Sequence, residues 1–285
     1  MKIVTPSLLT VLATVLSLSV AAQIKVGVCT KIQNAQKVKE AGAAYIEESA
    51  RDFLMPQQSD EKFAANLALA KASPLPMLSF NNFLPGSIKL TGPDRNHRAA
   101  LQYADVAFRR AGACGAKYMV LGSSGARNIP EGYDRETGIR EFVEFVRRLG
   151  PAAAKHNIIV VLEPLNKSES NFFNLVSEGI AMVKEVNHPN IRCLADVYHM
   201  LKEGENPEIL ITEKEYILHC HVAEKQNRAV PGTFKEDVSP YFDALKEAGY
   251  RGGMSLEPTW TDFDTEVGLG VAEVKKYIAG GYKPQ

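Results

Sequence analysis

The segment Val160-Val-Leu-Glu-Pro-Leu-Asn166 joins a short apolar run to a carboxylate. An apolar run that ends near an acidic or imidazole side chain recurs in Cys193-Leu-Ala-Asp-Val-Tyr-His199, Leu218-His-Cys-His-Val-Ala-Glu224 and Met254-Ser-Leu-Glu-Pro258. Continuous apolar runs of this length are typical of strands buried in a parallel sheet. The four segments therefore predict successive strands, each with a chemically active side chain near its carboxyl end.

The same alternation of short β-rich runs and longer amphipathic stretches extends back to residue 23. In the fourth amphipathic stretch, apolar residues recur with helical spacing from Ile139 to Leu149, and Gly150-Pro151 is expected to interrupt the helix. The predicted strands cover residues 24–30, 44–49, 76–83, 117–124, 158–165, 191–199, 216–224 and 251–259. Eight βα units of this kind predict an α/β protein with a single (β/α)8 TIM barrel over residues 23–285. A doubly wound sheet would need fewer strands and a glycine-rich phosphate turn, and the sequence has neither G-x-G-x-x-G nor a P-loop.

Composition excludes several classes of protein. With 285 residues, 45% of them apolar, the chain can build a large core and is not disordered. Lys and Arg total 33, as do Asp and Glu, so no net positive field favours a nucleic acid partner. The sequence contains no Cys-x-x-Cys pair, and its four cysteines are too sparse for a disulfide scaffold or a structural zinc cluster.

The first 22 residues have the pattern of a signal peptide. Lys2 precedes an uncharged, apolar stretch over residues 8–20, and the small pair Ala21-Ala22 follows it. A first core helix would carry a polar face, and an uncleaved anchor would be longer and flanked by charges. We therefore expect cleavage after Ala22 and a secreted or periplasmic protein with no stable membrane span. Because phosphorylated metabolites are scarce there, a neutral substrate is favoured.

The strand ends carry a set of metal-ligand side chains. Glu163, Asp196, His221 and Glu257 lie about one βα unit apart, at or near the carboxyl ends of strands five to eight. In a TIM barrel those ends meet at one face, so the four side chains should converge. Three carboxylates and one imidazole suit one divalent ion, with Mn²⁺, Mg²⁺ or Co²⁺ favoured and Zn²⁺ an alternative. The competing interpretation is that each acid caps a helix or pairs with a surface lysine.

Other polar residues are assigned by their place relative to these strands. His199 and Arg228 are expected to face the cavity, the second from a loop that can fold over its mouth. His219 shares the inward face with His221 one layer deeper, either as a core histidine or as part of the site. The remaining histidines are predicted to be surface residues, and two thiols are predicted to be buried: His97, His156 and His188, and Cys193 and Cys220.

Together these motifs resemble the xylose-isomerase-like barrel superfamily, especially its sugar isomerase and 3-epimerase branch. The resemblance implies that Glu163, Asp196, His221 and Glu257 bind the metal, that the two glutamates also act as acid and base, and that His199 and Arg228 hold the substrate. Glu169 is expected to hydrogen-bond His199 and so to orient it. The chain departs from the family pattern at Lys167, where Arg is common, and by one extra residue between His221 and Arg228. The first half offers Glu47, Asn81 and Asn82 as candidates for setting sugar specificity.

The ligand set predicts proton-transfer chemistry next to a carbonyl, and the resemblance implies a small neutral sugar or keto-sugar as the substrate. Removal of a proton next to a carbonyl gives an enediolate, and return of a proton gives either an epimer or an aldose–ketose isomer. If a leaving group lies β to the carbonyl, the same chemistry makes a lyase that acts on 3-keto-glycosides. Weaker alternatives are a sugar-binding protein without catalysis and an endonuclease IV-like nuclease, which would need histidines that strands two and three lack. A homo-oligomer is compatible with the sequence.

We predict that the mature protein begins at Gln23, because the pair Ala21-Ala22 closes the apolar stretch. Mass spectrometry of protein recovered from the native host should show this N-terminus. An intact Met1 in a soluble cytoplasmic fraction would contradict both the cleavage and the extracytoplasmic location.

Overall fold

Eight parallel strands close into a barrel in the computed structural model, which describes residues 24–284. The strands pair in chain order, and the first pairs with the last. This confirms the predicted (β/α)8 architecture, and each strand falls within its predicted range. The predicted signal peptide lies outside the described residues. The strands are β1 Lys25–Cys29, β2 Tyr45–Ser49, β3 Met77–Asn81, β4 Tyr118–Leu121, β5 Ile159–Leu162, β6 Ile191–Asp196, β7 Ile217–Val222 and β8 Gly253–Leu256.

Helices surround the barrel and bury its outer face. They are α1 Ala35–Glu40, α2 Asp60–Ala72, α3 His97–Ala113, α4 Ser124–Arg127, α5 Arg135–Ala154, α6 Val176–Val186, α7 Val197–Glu203, α8 Ile209–Thr212, α9 Ser239–Glu247 and α10 Phe263–Ala279. Most of the apolar core lies between this ring and the strands, where side chains such as Phe108, Phe142 and Val271 are fully buried. Within residues 24–284, none of the helices combines the length and the apolar character that a bilayer crossing requires.

One predicted helix boundary is wrong. The expected break at Gly150-Pro151 does not occur, since α5 continues through Pro151 to Ala154. A proline removes one backbone hydrogen bond and crowds the preceding turn, but Pro151 lies in the last turn of the helix, where few bonds follow. Gly150 also has a packing role, because a β-carbon there would collide with the ring of His188.

The interior of the barrel is filled by an aromatic side chain that two glycines accommodate. Tyr45 on β2 is almost fully buried, and its hydroxyl lies 2.8 Å from Ser255 Oγ on β8. A β-carbon at Gly27 on β1 would overlap the Tyr45 ring, and one at Gly253 would crowd its hydroxyl end. The two glycines therefore make room for a large residue that links β2 to β8 across β1, where the barrel closes.

Two buried arginines secure the loops above the strands. Arg110 on α3 is 2% exposed and donates to the main-chain carbonyls of Leu54 and Gln58, both at 2.8 Å. Arg127 on α4 is fully buried and donates to the carbonyl of Glu163 at 3.1 Å and to that of Gly122. Carbonyl groups at strand ends are obligatory acceptors, so each guanidinium satisfies several of them at once. The upper rim of the barrel is thereby held in one arrangement.

Gly27→Ala should lower the free energy of unfolding by about 1–3 kcal/mol or more, because the added methyl group has no space beside Tyr45. Gly268→Ala is the matched control, since its β-carbon would meet nothing within 4 Å on the exposed side of α10. That change should instead raise the free energy of unfolding by about 0.5–1 kcal/mol. Guanidinium unfolding of the two variants tests this, and equal stability would contradict the packing argument.

Candidate functional site

Four predicted ligand residues converge at the carboxyl ends of the strands. One ligand atom from each of Glu163, Asp196, His221 and Glu257 lies within 4.8 Å of the other three. His221 Nδ1 is central, at 3.1 Å from both Glu163 Oε1 and Glu257 Oε2. The sheet register explains the convergence, because Asp196 pairs directly with His221, and Glu163 and Glu257 are the first residues after β5 and β8.

The chemistry of this cluster fits a divalent cation. Three carboxylates face one imidazole, and hard divalent ions prefer oxygen ligands with occasional imidazole nitrogen. Asp196 and His221 are almost fully buried, whereas the Glu257 side chain is 19% exposed. Buried carboxylates repel one another unless positive charge compensates them. The surroundings therefore favour a cation at the centre of the four residues, with its open side toward the cavity.

The carboxylates differ in their protein environments. Burial raises the pKa of Glu163 and raises that of Asp196 to about 6, although Arg228 and His221 oppose the rise at Asp196. Burial acts in the same direction on Glu257, but His221 and Arg228 outweigh it and lower its pKa to about 2. Adjacent carboxyl groups with opposite shifts are a common arrangement where one group donates a proton and another accepts one.

Arg228 lines the cavity beside the ligand residues. Its guanidinium contacts Glu257, lies 3.4 Å from Asp196 Oδ2 and 3.7 Å from Glu169 Oε2, and covers the ring of Tyr198 at 4.6 Å. The residue has a φ of 49°, an unusual backbone conformation for a side chain with a β-carbon. Such conformations persist where surrounding contacts hold them, often at functional sites.

His199 lies beside the cluster, but its predicted partner is wrong. Its Nδ1 accepts hydrogen bonds from the backbone N–H of Asn166 at 3.1 Å and from Asn166 Nδ2 at 2.9 Å. Glu169 does not reach the ring; its Oε1 accepts from the same Asn166 side chain at 2.9 Å. Since a backbone N–H can only donate, Nδ1 is the acceptor and the ring proton lies on Nε2. Among residues 24–284 that nitrogen is buried without a hydrogen-bond partner, 3.4 Å from Asp196 Oδ2.

A cavity of about 370 Å³ opens above the cluster. Glu163, Glu169, Arg228 and Glu257 line its floor and one side. Asn81 and Asn82, proposed from sequence as specificity residues, line another side, and Asn81 Nδ2 donates to Glu257 Oε1 at 2.7 Å. Glu47 does not line the cavity: it is fully buried one layer below.

The remaining residues that line the cavity were not predicted from sequence. The turn Gly122-Ser-Ser-Gly125 has no nucleotide-binding motif, yet all four residues line the cavity, together with Arg51 and Leu84. Gly122 has a specific role, because a β-carbon there would overlap Glu163 Oε2. Ser123 has a φ of 33° and its hydroxyl accepts from the backbone N–H of Leu84 at 3.0 Å. A strand-end position was the available signal for the turn Gly122–Gly125, but its residues lack an ionisable side chain.

The other assigned side chains are distributed as follows. Cys193 and Cys220 are fully buried, as predicted. His156 and His188 are partly buried at the periphery. The predicted surface position of His97 is wrong: the residue is 9% exposed, and its Nε2 lies 2.8 Å from the carbonyl oxygen of Leu90. His97 begins α3, where a helix terminus packs against the preceding loop.

The chain is similar to a known protein family and to individual curated proteins. The family model described as xylose isomerase-like TIM barrel matches residues 35–277. An L-ribulose 3-epimerase from Methylomonas sp. (strain DH-1) is 32% identical over 54% of this chain and 52% of the relative. The chain thus spans about half the length of the first curated relatives that it matches.

Solved structures show the same fold. A D-psicose 3-epimerase crystallised in the presence of D-fructose has a TM-score of 0.78 and 20% identity, covering 90% of this chain and all of the other. A 3-keto-D-glucoside 4-epimerase from E. coli has a TM-score of 0.77 and 18% identity, covering 89% of this chain and all of the other.

We predict that His199 is neutral at pH 7 with its proton on Nε2. Burial lowers its pKa, against the opposing influence of Glu163, and Asn166 occupies Nδ1. Proton–nitrogen correlation NMR of protein labelled with ¹⁵N-histidine measures the tautomer. Asn166→Ala keeps the backbone donor and should leave the tautomer unchanged, whereas a proton on Nδ1 in the parent protein would contradict the assignment.

Proposed function

Because the chain belongs to the xylose isomerase-like TIM barrel family, we propose that it is a divalent-metal-dependent sugar isomerase or epimerase. The observation that carries the proposal is the convergence of Glu163, Asp196, His221 and Glu257 below an open cavity. The similarity to a ketose 3-epimerase adds support, because that relative acts on a small keto-sugar. The reaction we propose is removal of a proton next to a carbonyl, followed by return of a proton to the resulting enediolate.

The same four residues would hold the metal, for which we favour Mn²⁺, Mg²⁺ or Co²⁺ over Zn²⁺ on the basis of the oxygen-rich ligand set. When bound, a divalent cation supplies Lewis-acid stabilisation of the negative charge that develops on the substrate oxygens. Two hydrogen bonds would keep the glutamates in place. Arg127 donates to the backbone carbonyl of Glu163, and Asn81 donates to the Glu257 carboxylate.

In this proposal Glu163 and Glu257 act as the acid–base pair. They follow β5 and β8, which β6 and β7 separate, so their carboxylates approach the cavity floor from different sides. A proton removed by one glutamate and a proton delivered by the other on the opposite face would invert the carbon. Return of the proton to the neighbouring carbon would give aldose–ketose isomerisation instead.

Three further groups would orient the sugar. The Nε2–H of His199 is a buried donor that has no hydrogen-bond partner in the described part of the chain, and Arg228 and Glu169 line the cavity. A donor that is left unsatisfied in the protein is suited to a substrate oxygen, because the ligand then removes the cost of burying the donor alone. We propose a neutral sugar and, from the predicted signal peptide, a secreted or periplasmic setting.

The main cavity and an adjoining groove share Arg51 in their linings. The extra space favours a second candidate function, a lyase acting on 3-keto-glycosides. The groove has a volume of about 390 Å³ and is lined by Gln57, Gln58 and Tyr103, among others. An aglycone could occupy it while the keto-sugar ring lies over the metal ligands. Removal of the α-proton would then expel the aglycone oxygen with the C–O bonding electrons, and the departing alcohol would take up a proton.

Incubation of the protein with Mn²⁺ and a panel of neutral ketoses and 3-keto-glycosides in D2O distinguishes the candidates. Epimerisation and isomerisation should introduce deuterium at the carbon that is attacked, whereas elimination should yield an alkene and a free alcohol, both visible by NMR. Sugar binding that persists after chelation of the metal, with no exchange for any member of the panel, would favour a binding protein without catalysis.

Glu257→Gln and Glu163→Gln should each reduce turnover and deuterium exchange by about 10²–10⁴-fold, because the amide cannot accept the proton. Glu141→Gln is the control, since Glu141 is also buried but accepts hydrogen bonds from Gly92 and Tyr133 away from the cavity. Metal content must be measured for each variant. A Glu257→Gln protein that keeps its metal and exchanges protons at the parent rate would remove Glu257 from the mechanism.

A further inference from the structure

Glu47 is a fully buried carboxylate directly beneath the candidate metal ligands. Its Oε1 lies 2.9 Å from His221 Nε2. Its Oε2 accepts from Ser79 Oγ at 2.6 Å and Ser255 Oγ at 2.8 Å, and lies 2.7 Å from His219 Nε2. Four donors from strands β3, β7 and β8 therefore surround one side chain of β2.

A fully buried carboxylate is unusual, because a buried charge costs free energy unless it is paired and hydrogen-bonded. Glu47 is fully buried and does not line the cavity, so its role lies with the side chains that it contacts. The one candidate metal ligand to which it hydrogen-bonds is His221. Its direct hydrogen-bonded route to the four candidate ligands is therefore that imidazole.

The two ring nitrogens of His221 face different partners. Nδ1 points at Glu163 and Glu257, whereas Nε2 points at Glu47. An ionised carboxylate can only accept, so a hydrogen bond to Glu47 requires the proton on Nε2. With Nε2 committed to Glu47, Nδ1 is the nitrogen that can offer its lone pair to a cation at the centre of the ligand set.

We propose that Glu47 is a positioning residue that holds the proton of His221 on Nε2 and so presents Nδ1 to the metal. The inference rests on the proposed metal site, and it assigns to β2 a role that the ligand residues alone do not supply. Metal-bound histidines in general donate their second N–H to a carboxylate or carbonyl, which fixes both the tautomer and the ring orientation.

A further layer holds Glu47 itself. The ring of His219 stacks on Tyr118 with 5.4 Å between centroids, and the Tyr45 hydroxyl hydrogen-bonds Ser255. These contacts fix the donors that converge on Glu47 Oε2. The inward-facing His219 thus contributes to the site through the carboxylate and not as a ligand of its own.

Glu47→Gln keeps the shape of the side chain but should reverse the position of the proton on His221. Three donors meet Oε2 and one meets Oε1, so the amide oxygen should take the Oε2 position and the amide nitrogen should face His221. A nitrogen donor there favours a proton on Nδ1, which then cannot bind a metal. The dissociation constant for Mn²⁺, measured by calorimetry on metal-free protein, should rise about 10–100-fold.

Glu48→Gln is the matched control, because Glu48 is the next residue of β2 and is also buried, but it contacts the backbone N–H of Ile32 outside the barrel. Its Mn²⁺ affinity should stay within about twofold of the parent, because a change on the outer face of β2 does not reach the ligands. Glu47→Asp serves if Glu47→Gln does not fold, since it keeps the charge but withdraws it from His221, and it should also weaken Mn²⁺ binding.

NMR of the Zn²⁺-loaded, ¹⁵N-histidine-labelled parent provides a measurement independent of catalysis, and it should show His221 with a proton on Nε2. At saturating Mn²⁺, the turnover of Glu47→Gln should recover toward the parent value, because Glu47 does not touch the substrate. Parent-like Mn²⁺ affinity in a folded Glu47→Gln, or Zn²⁺ bound through Nε2, would overturn the inference. If the parent binds Mn²⁺ but transforms no sugar, the proposed reaction fails while a weakened Glu47→Gln still supports this role.

Discussion

The pairing of β1 with β8 is the constraint on which the site depends. Closure of the sheet sends the carboxyl ends of all eight strands to one face, so residues that are far apart in the chain become neighbours. Glu47 on β2 can reach His221 on β7 only because β8 and β1 complete the ring between them. The interior must therefore accept Tyr45 at the closing strands, which the glycines of β1 and β8 allow.

Charge is organised in layers along the barrel axis. Arg228 covers the carboxylates at the mouth, the ligand cluster lies below it, and Glu47 with His219 lies below the cluster. Hydrogen-bond acceptors in one layer face donors in the next. The acidic cluster therefore lies between positively charged or hydrogen-bonding groups. The opposite pKa shifts of Glu163 and Glu257 follow from this arrangement, since Arg228 contacts the second residue directly.

Much of the fold and the ligand cluster could be predicted from sequence because both follow from local periodicity. A strand that ends in Glu163 or Asp196 places its side chain at the rim whatever the neighbouring loops do. The remaining features depend on contacts between segments distant in the chain. His199 is oriented by the backbone of Asn166 from the preceding βα unit, and α5 continues past Pro151 because that proline lies in its last turn. The cavity walls at Ser123 come from small residues whose position only the folded loops determine.

Gly122 limits how the substrate range of this barrel can evolve or be engineered. Even alanine would intrude on Glu163, so codon 122 cannot be used to reshape the cavity without displacing a candidate catalytic group. Variation is easier in the neighbouring loops, where Leu84 and Arg51 line the space without a contact to either glutamate among the hydrogen bonds of the described residues. A mutant library aimed at larger glycosides would keep Gly122 constant and randomise the Arg51 side. New specificities would therefore arise from the loops after β2 and β3, while the loop after β4 stays invariant at its first residue.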